Sequence, residues 1–150
     1  MALRVGVIGG GQLARMMVPA AVELGLDIRV LAEGPGMSAS IAATAEGDYH
    51  DVETVLAFAR DVDVVTCDHE HVPQDVLRAL VDAGVAVRPG PDALAVAQDK
   101  ITMRTRLSEL GLPVPDWAAV QDPDELQAFL DDHGGRAVVK TARGGYDGKG

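Results

Sequence analysis

The chain has 150 residues, 47% of them apolar, a net charge of −10 and a single cysteine, Cys67. That is enough apolar material for an ordinary core, and one thiol excludes an internal disulfide. The acidity argues against nucleic acid, whose phosphates are held by clustered Lys and Arg, and 3% aromatic residues leave little for base stacking. No apolar run reaches the ~20 residues that cross a membrane, and the opening Met-Ala-Leu-Arg-Val-Gly-Val-Ile lacks the marks of a signal peptide.

Short β-branched runs alternate with helical stretches, which predicts an α/β fold with a mainly parallel sheet. Arg4–Ile8 reads as a buried strand, followed by three glycines. From Gln12 to Leu24, Leu13, Met16, Met17, Ala20, Ala21 and Leu24 recur at helical spacing, with Pro19 as an expected kink and Gly25 as a stop. Asp27–Leu31 is a second strand, Ser40–Ala45 a short helical piece and Glu46–Tyr49 a weak strand. Asp51 is an N-cap for a helix to about Arg60, without a full capping box because Thr54 stands where Glu or Gln belongs. Val62–Thr66 is a buried strand, Pro73–Ala83 a helix and Val85–Arg88 a fifth strand.

Pro89-Gly90-Pro91 marks a domain boundary, dividing the chain into 1–91 and 92–150. Beyond it, Asp92–Gln98 and Asp99–Leu110 read as helices. A second unit follows, with strands at Trp117–Val120 and Ala137–Thr141 around a helix Pro123–Asp132 and a Gly134-Gly135 turn.

Three clusters carry chemistry. Gly9-Gly10-Gly11-Gln12-Leu13-Ala14 is a G-x-G-x-x-A loop between a strand and a helix. Its glycines let backbone approach a phosphate at the helix N-terminus. Glu33, after the second strand, stands where a dinucleotide site wants its acid; another phosphate ligand, or a turn that only packs the helix, fits equally. Asp68-His69-Glu70-His71-Val72-Pro73 ends a buried strand, at the edge where open α/β sheets gather ligands. A carboxylate on a sugar hydroxyl and a solvated loop both suit it. Metal suits it less, because no distant third ligand is evident.

The third cluster is Lys140 followed by Gly144, Gly145, Gly148 and Gly150, with Lys149 among them. Glycine N–H groups and two point charges make a lid over a triphosphate. A Walker A loop is excluded by Arg143 where it needs Gly and Gly150 where it needs Ser or Thr. A kinase loop is excluded because there the glycines precede the lysine strand. Asp99-Lys100 opens a helix whose Arg104 and Arg106 read as a solvated face.

Taken in order, Gly9–Met16, Asp68–Pro73, Gln98-Asp99-Lys100 running into Leu107–Pro115, and Lys140–Gly150 resemble the 5-(carboxyamino)imidazole ribonucleotide synthase family of ATP-grasp ligases. The resemblance covers essentially the whole chain. It implies a Rossmann-like pre-ATP-grasp domain over 1–91 and the start of an ATP-grasp domain over 92–150. It also implies a reaction in which ATP phosphorylates bicarbonate to carboxyphosphate, and the amine of aminoimidazole ribonucleotide takes the carboxyl group.

By that resemblance Lys100, Lys140, Gly145, Tyr146, Asp147, Gly148, Lys149 and Gly150 contact ATP, while Gly11, Gln12, Leu13 and Glu70 face the ribonucleotide. The resemblance places the catalytic residues and the Mg²⁺ ligands beyond residue 150, so the chain alone is expected to be inactive. It implies a cytoplasmic homodimer working on small molecules. His69 and His71 depart from the family's aromatic residue and Asn on either side of the glutamate. A sibling ATP-grasp carboxylase or formyltransferase, an NAD-binding Rossmann module of an oxidoreductase, and a non-catalytic nucleotide sensor are the alternatives.

Overall fold

A computed structural model describes residues 2–145. The chain divides into two compact units, the first ending at Ala95 and the second beginning at Val96. In the first, β1 (Arg4–Ile8), α1 (Gln12–Leu24), β2 (Asp27–Ala32), a 3₁₀ turn (Ser40–Ala42), β3 (Ala43–Glu46), α2 (Val52–Ala59), β4 (Val64–Cys67) and α3 (Gln74–Asp82) follow one another. The strands are parallel, in the order β3-β2-β1-β4.

Register and alternation place the core. Val7 pairs with Val30 and Ile8 with Leu31, and successive side chains leave a strand on opposite faces. Val7 and Val30 pack with Ala14 of α1 and with Ala39. Ile8 and Leu31 pack with Val55 and Phe58 of α2 and with Val76, Leu77 and Leu80 of α3. The sheet therefore has a buried face on each side, as parallel sheets require. The chain steps outward from β1 to β3, then returns through α2 to β4 on the other side of β1. That reversal opens a crevice at the carboxyl ends of β1 and β4, where Gly9 and Asp68 are the first residues beyond the strands.

Local chemistry explains the helices. α1 has the expected bounds and runs through Pro19. Asp51 caps α2 by accepting the Thr54 N–H at 3.1 Å and its hydroxyl at 2.5 Å, so Thr54 serves the cap by donating twice.

Three expectations are corrected in this unit. The third strand is Ala43–Glu46 and not Glu46–Tyr49, because Asp48 Oδ1 accepts the His50 N–H at 2.8 Å and turns the chain there. The helical piece before it shortens to Ser40–Ala42. The fifth strand reduces to one parallel bridge, Val65 to Val87, formed by the Val65 N–H to the Ala86 carbonyl and the Arg88 N–H to the Val65 carbonyl, each at 2.8 Å.

α4 (Pro91–Gln98) carries Leu94 into the core of the first unit. The second unit holds α5 (Lys100–Glu109) and α6 (Pro123–Asp132), each capped by an aspartate, Asp99 and Asp122. Neither Trp117–Val120 nor Ala137–Thr141 forms a strand among the described residues. A strand needs a paired neighbour, and Val138 and Val139 are left exposed. The ladder contact described in this unit is one antiparallel bridge, Asp99 to Arg143.

Candidate functional site

The glycine loop after β1 and the acidic turn after β4 meet at the crevice. Asp68 is the one buried charged side chain among the described residues, 7% exposed. Its backbone N–H donates to the Ile8 carbonyl at 2.8 Å, continuing the pairing of the two strands. Its carboxylate turns into the loop and accepts the amide of Ala14 in the first turn of α1. A Cβ on Gly11 would lie 2.1 Å from Asp68 Oδ2, and one on Gly9 would lie 2.9 Å from Asp68 Cβ. Both glycines are therefore needed to admit an aspartate, a partner 54 residues away from Ala14 that the sequence reading did not identify.

Glu33 reaches the same loop from β2. Its Oε2 accepts the Gly10 N–H at 2.9 Å, and its Oε1 lies 3.7 Å from His69 Nε2. The carboxylate that a dinucleotide site would direct at a ribose is engaged with the loop itself. His69 also accepts the His71 N–H through Nδ1 at 3.2 Å, so its neutral form carries the proton on Nε2, toward Glu33. Tyr49 meets the His69 ring edge-on at 5.0 Å, and the His71 ring lies 5.2 Å away. The two histidine rings thus pack on one another and on Tyr49, and Glu70, in the turn between them, is half-buried.

Gln12 and Leu13 are exposed at the start of α1. Their amides are the first two of the helix and have no helical acceptor by position, whereas Arg15 already bonds to the Gly11 carbonyl at 3.2 Å. Gly11–Leu13 and Glu70 therefore stand at the ends of neighbouring strands, tied together by Asp68. Cys67 lies beside them, and burial pushes its thiol up to about 11, which leaves it a poor nucleophile. Among the described residues no group of three metal-ligating side chains forms.

In the second unit, Lys100 sits at the start of α5. Its Nζ donates to the Gly144 carbonyl at 2.6 Å and its backbone N–H to the Ala142 carbonyl at 2.8 Å. Arg143 Nη2 reaches Gln98 Oε1 at 3.4 Å. The segment after Lys140 is thereby tied to the amino end of α5, which brings Lys100 to Gly144 and Gly145. Lys140 is exposed, and Gly145 is exposed with a φ of +67°. Tyr146, Asp147, Gly148, Lys149 and Gly150 lie outside the described residues.

Comparison with known proteins agrees with this architecture. Residues 1–98 match the model of the ribonucleotide synthetase preATP-grasp domain, and residues 105–150 that of the ATP-grasp domain. An N5-carboxyaminoimidazole ribonucleotide synthase of Corynebacterium ammoniagenes is 47% identical over 148 residues, covering 97% of this chain and 36% of the relative. The crystal structure of an N5-carboxyaminoimidazole ribonucleotide synthetase in its ADP complex superposes with a TM-score of 0.86 at 32% identity, over 100% of this chain and 41% of that one. The synthase of Aspergillus clavatus, solved with ADP and 5-aminoimidazole ribonucleotide, gives 0.75 at 29% identity, over 87% and 36%. The chain spans little more than a third of the length of its curated relatives.

Proposed function

Since the chain belongs to the ribonucleotide synthetase preATP-grasp family, we propose that it serves an enzyme carboxylating 5-aminoimidazole ribonucleotide with ATP and bicarbonate in purine biosynthesis. The observation that carries this reading is the joining, through Asp68, of the Gly11–Leu13 loop to the strand end that bears Glu70. It leaves two unpaired helix amides beside a carboxylate, a combination suited to the phosphate and hydroxyls of a ribonucleotide. The 47% identity to a named synthase supports the same substrate.

In the proposed reaction a bicarbonate oxygen attacks the γ-phosphorus of ATP and ADP leaves. The substrate amine then attacks the carbon of carboxyphosphate, releasing phosphate and a proton. Lys100, Lys140 and the glycines from Gly145 to Gly150 hold and neutralise the triphosphate, with Tyr146, Asp147 and Lys149 in the same segment. Gly11, Gln12, Leu13 and Glu70 orient the ribonucleotide. Mg²⁺ supplies charge neutralisation in this chemistry. Among the described residues no group of side chains forms a ligand set for it. We extend the reading to a homodimeric, cytoplasmic enzyme. Sedimentation tests the dimer, and no described helix is long and apolar enough to cross a membrane.

ADP release tests the proposal. A full-length enzyme carrying this segment is expected to release ADP from ATP and bicarbonate in a ribonucleotide-dependent way, while the 150-residue chain alone releases none. Release that ignores the ribonucleotide overturns the substrate assignment and moves a sibling ligase ahead.

A further inference from the structure

We infer that Asp68 is a specificity-determining residue: its carboxylate is a resident anion in the glycine loop and closes that loop to the pyrophosphate of dinucleotides and similar ligands. The inference does not depend on the carboxylation reading.

A strand–glycine loop–helix unit ordinarily presents the amides of the first helical turn to a ligand phosphate. Here two of the loop's donors are already taken by the protein's own carboxylates. Asp68 accepts the Ala14 amide and Glu33 accepts the Gly10 amide at 2.9 Å. The first is the deeper block. Asp68 is buried, its backbone is fixed to the Ile8 carbonyl, and its Oδ2 fills the space above Gly11.

Shape and charge act together. A phosphate reaching for Ala14 meets an oxygen already in van der Waals possession of the space. Its negative charge also faces the carboxylates of Asp68 and Glu33, and like charges repel. The amides of Gln12 and Leu13 stay available at the mouth of the loop, enough for one oxygen-rich group and too few for two linked phosphates. The same geometry explains how a G-x-G-x-x-A sequence with a downstream acid at Glu33 imitates a dinucleotide fingerprint without its binding chemistry.

The test is a titration of the 150-residue chain with inorganic pyrophosphate, read at the backbone amide resonances of Gln12, Leu13 and Ala14. The chain as it stands is expected to show no saturable shift at Ala14. Asp68→Ala empties the seat and is expected to bind pyrophosphate at least tenfold more tightly, with Ala14 shifting. Asp68→Asn keeps the shape, removes the charge and is expected to gain about threefold, so the inference remains testable should the alanine variant fail to fold. Equal affinity in the chain and its variants, or no gain in any variant that folds, overturns the inference.

Discussion

Lys100 Nζ donates to the carbonyl of Gly144 at 2.6 Å, although 44 residues separate the two. The contact holds an ammonium group beside the glycine-rich segment that follows Lys140, while the Lys100 backbone independently bonds Ala142. Lys100→Met keeps most of the stem and removes the charge. It is expected to raise the KM for ATP about tenfold in a full-length enzyme carrying this segment, the loss of one charge-assisted hydrogen bond. The ribonucleotide KM should stay within about twofold, since Lys100 is assigned no contact with that substrate. An unchanged KM for ATP would remove Lys100 from the nucleotide site.

Gly11→Ala tests the seating of Asp68. The backbone at Gly11 is ordinary, with φ −78°, so alanine is opposed by space and not by conformation. The new Cβ would stand 2.1 Å from Asp68 Oδ2, which forces the carboxylate off the Ala14 amide. Overpacking of this kind costs about 1–3 kcal/mol, a fall in the urea midpoint that equilibrium unfolding measures directly. In the double variant with Asp68→Ala the alanine at position 11 should cost far less, because nothing remains to collide with. Additive losses would show that the clash is relieved elsewhere.

These two residues also show how far a sequence reaches. Apolar periodicity reads α1 at Gln12–Leu24, and the sequence reads α6 at Pro123–Asp132, both with the bounds observed, because helix bounds depend on neighbours a few residues away. The parallel α/β architecture followed from the same local alternation. Asp68 was visible only as one of two carboxylates in a polar run, since its partner Ala14 is distant and nothing local says which acid turns inward. The available signal was a short acid at the end of a buried strand, opposite a glycine loop in need of an occupant. The strand expected at Val138 and Val139 illustrates the converse limit: β-branched residues favour a strand, but only pairing creates one.

Arg4 and Asp63 clamp the beginnings of β1 and β4, and that clamp should respond to acid. Arg4 donates its backbone N–H at 2.8 Å, Nε at 3.3 Å and Nη2 at 2.8 Å to the Asp63 carboxylate. The Arg4 side-chain hydrogen bonds, then its backbone N–H, hold the Asp63 carboxyl below its ordinary range. A depressed folded-state value means that the ionised form is favoured by folding. The stabilisation is therefore complete above the unfolded value, about pH 4, and disappears as pH falls through the lower folded value. Urea midpoints of the chain and of Asp63→Asn should differ at pH 7 and converge as pH drops below about 4. A difference that is constant with pH would assign the effect to packing and not to the ionised pair.

Cys67 offers a measure of how tightly the crevice floor is closed. It ends β4 directly before Asp68 and packs against the core that contains Ile8 and Val65. Burial pushes its thiol up to about 11, so at pH 8 only about one thiol in a thousand is ionised in the folded chain. Disulfide reagents attack through the thiolate. Labelling at pH 8 is therefore expected to run at least about fiftyfold slower in the folded chain than in urea, where the ordinary thiol value returns. Labelling of the folded chain as fast as in urea would mean that β4 opens at Cys67, and the seat built on Asp68 would open with it.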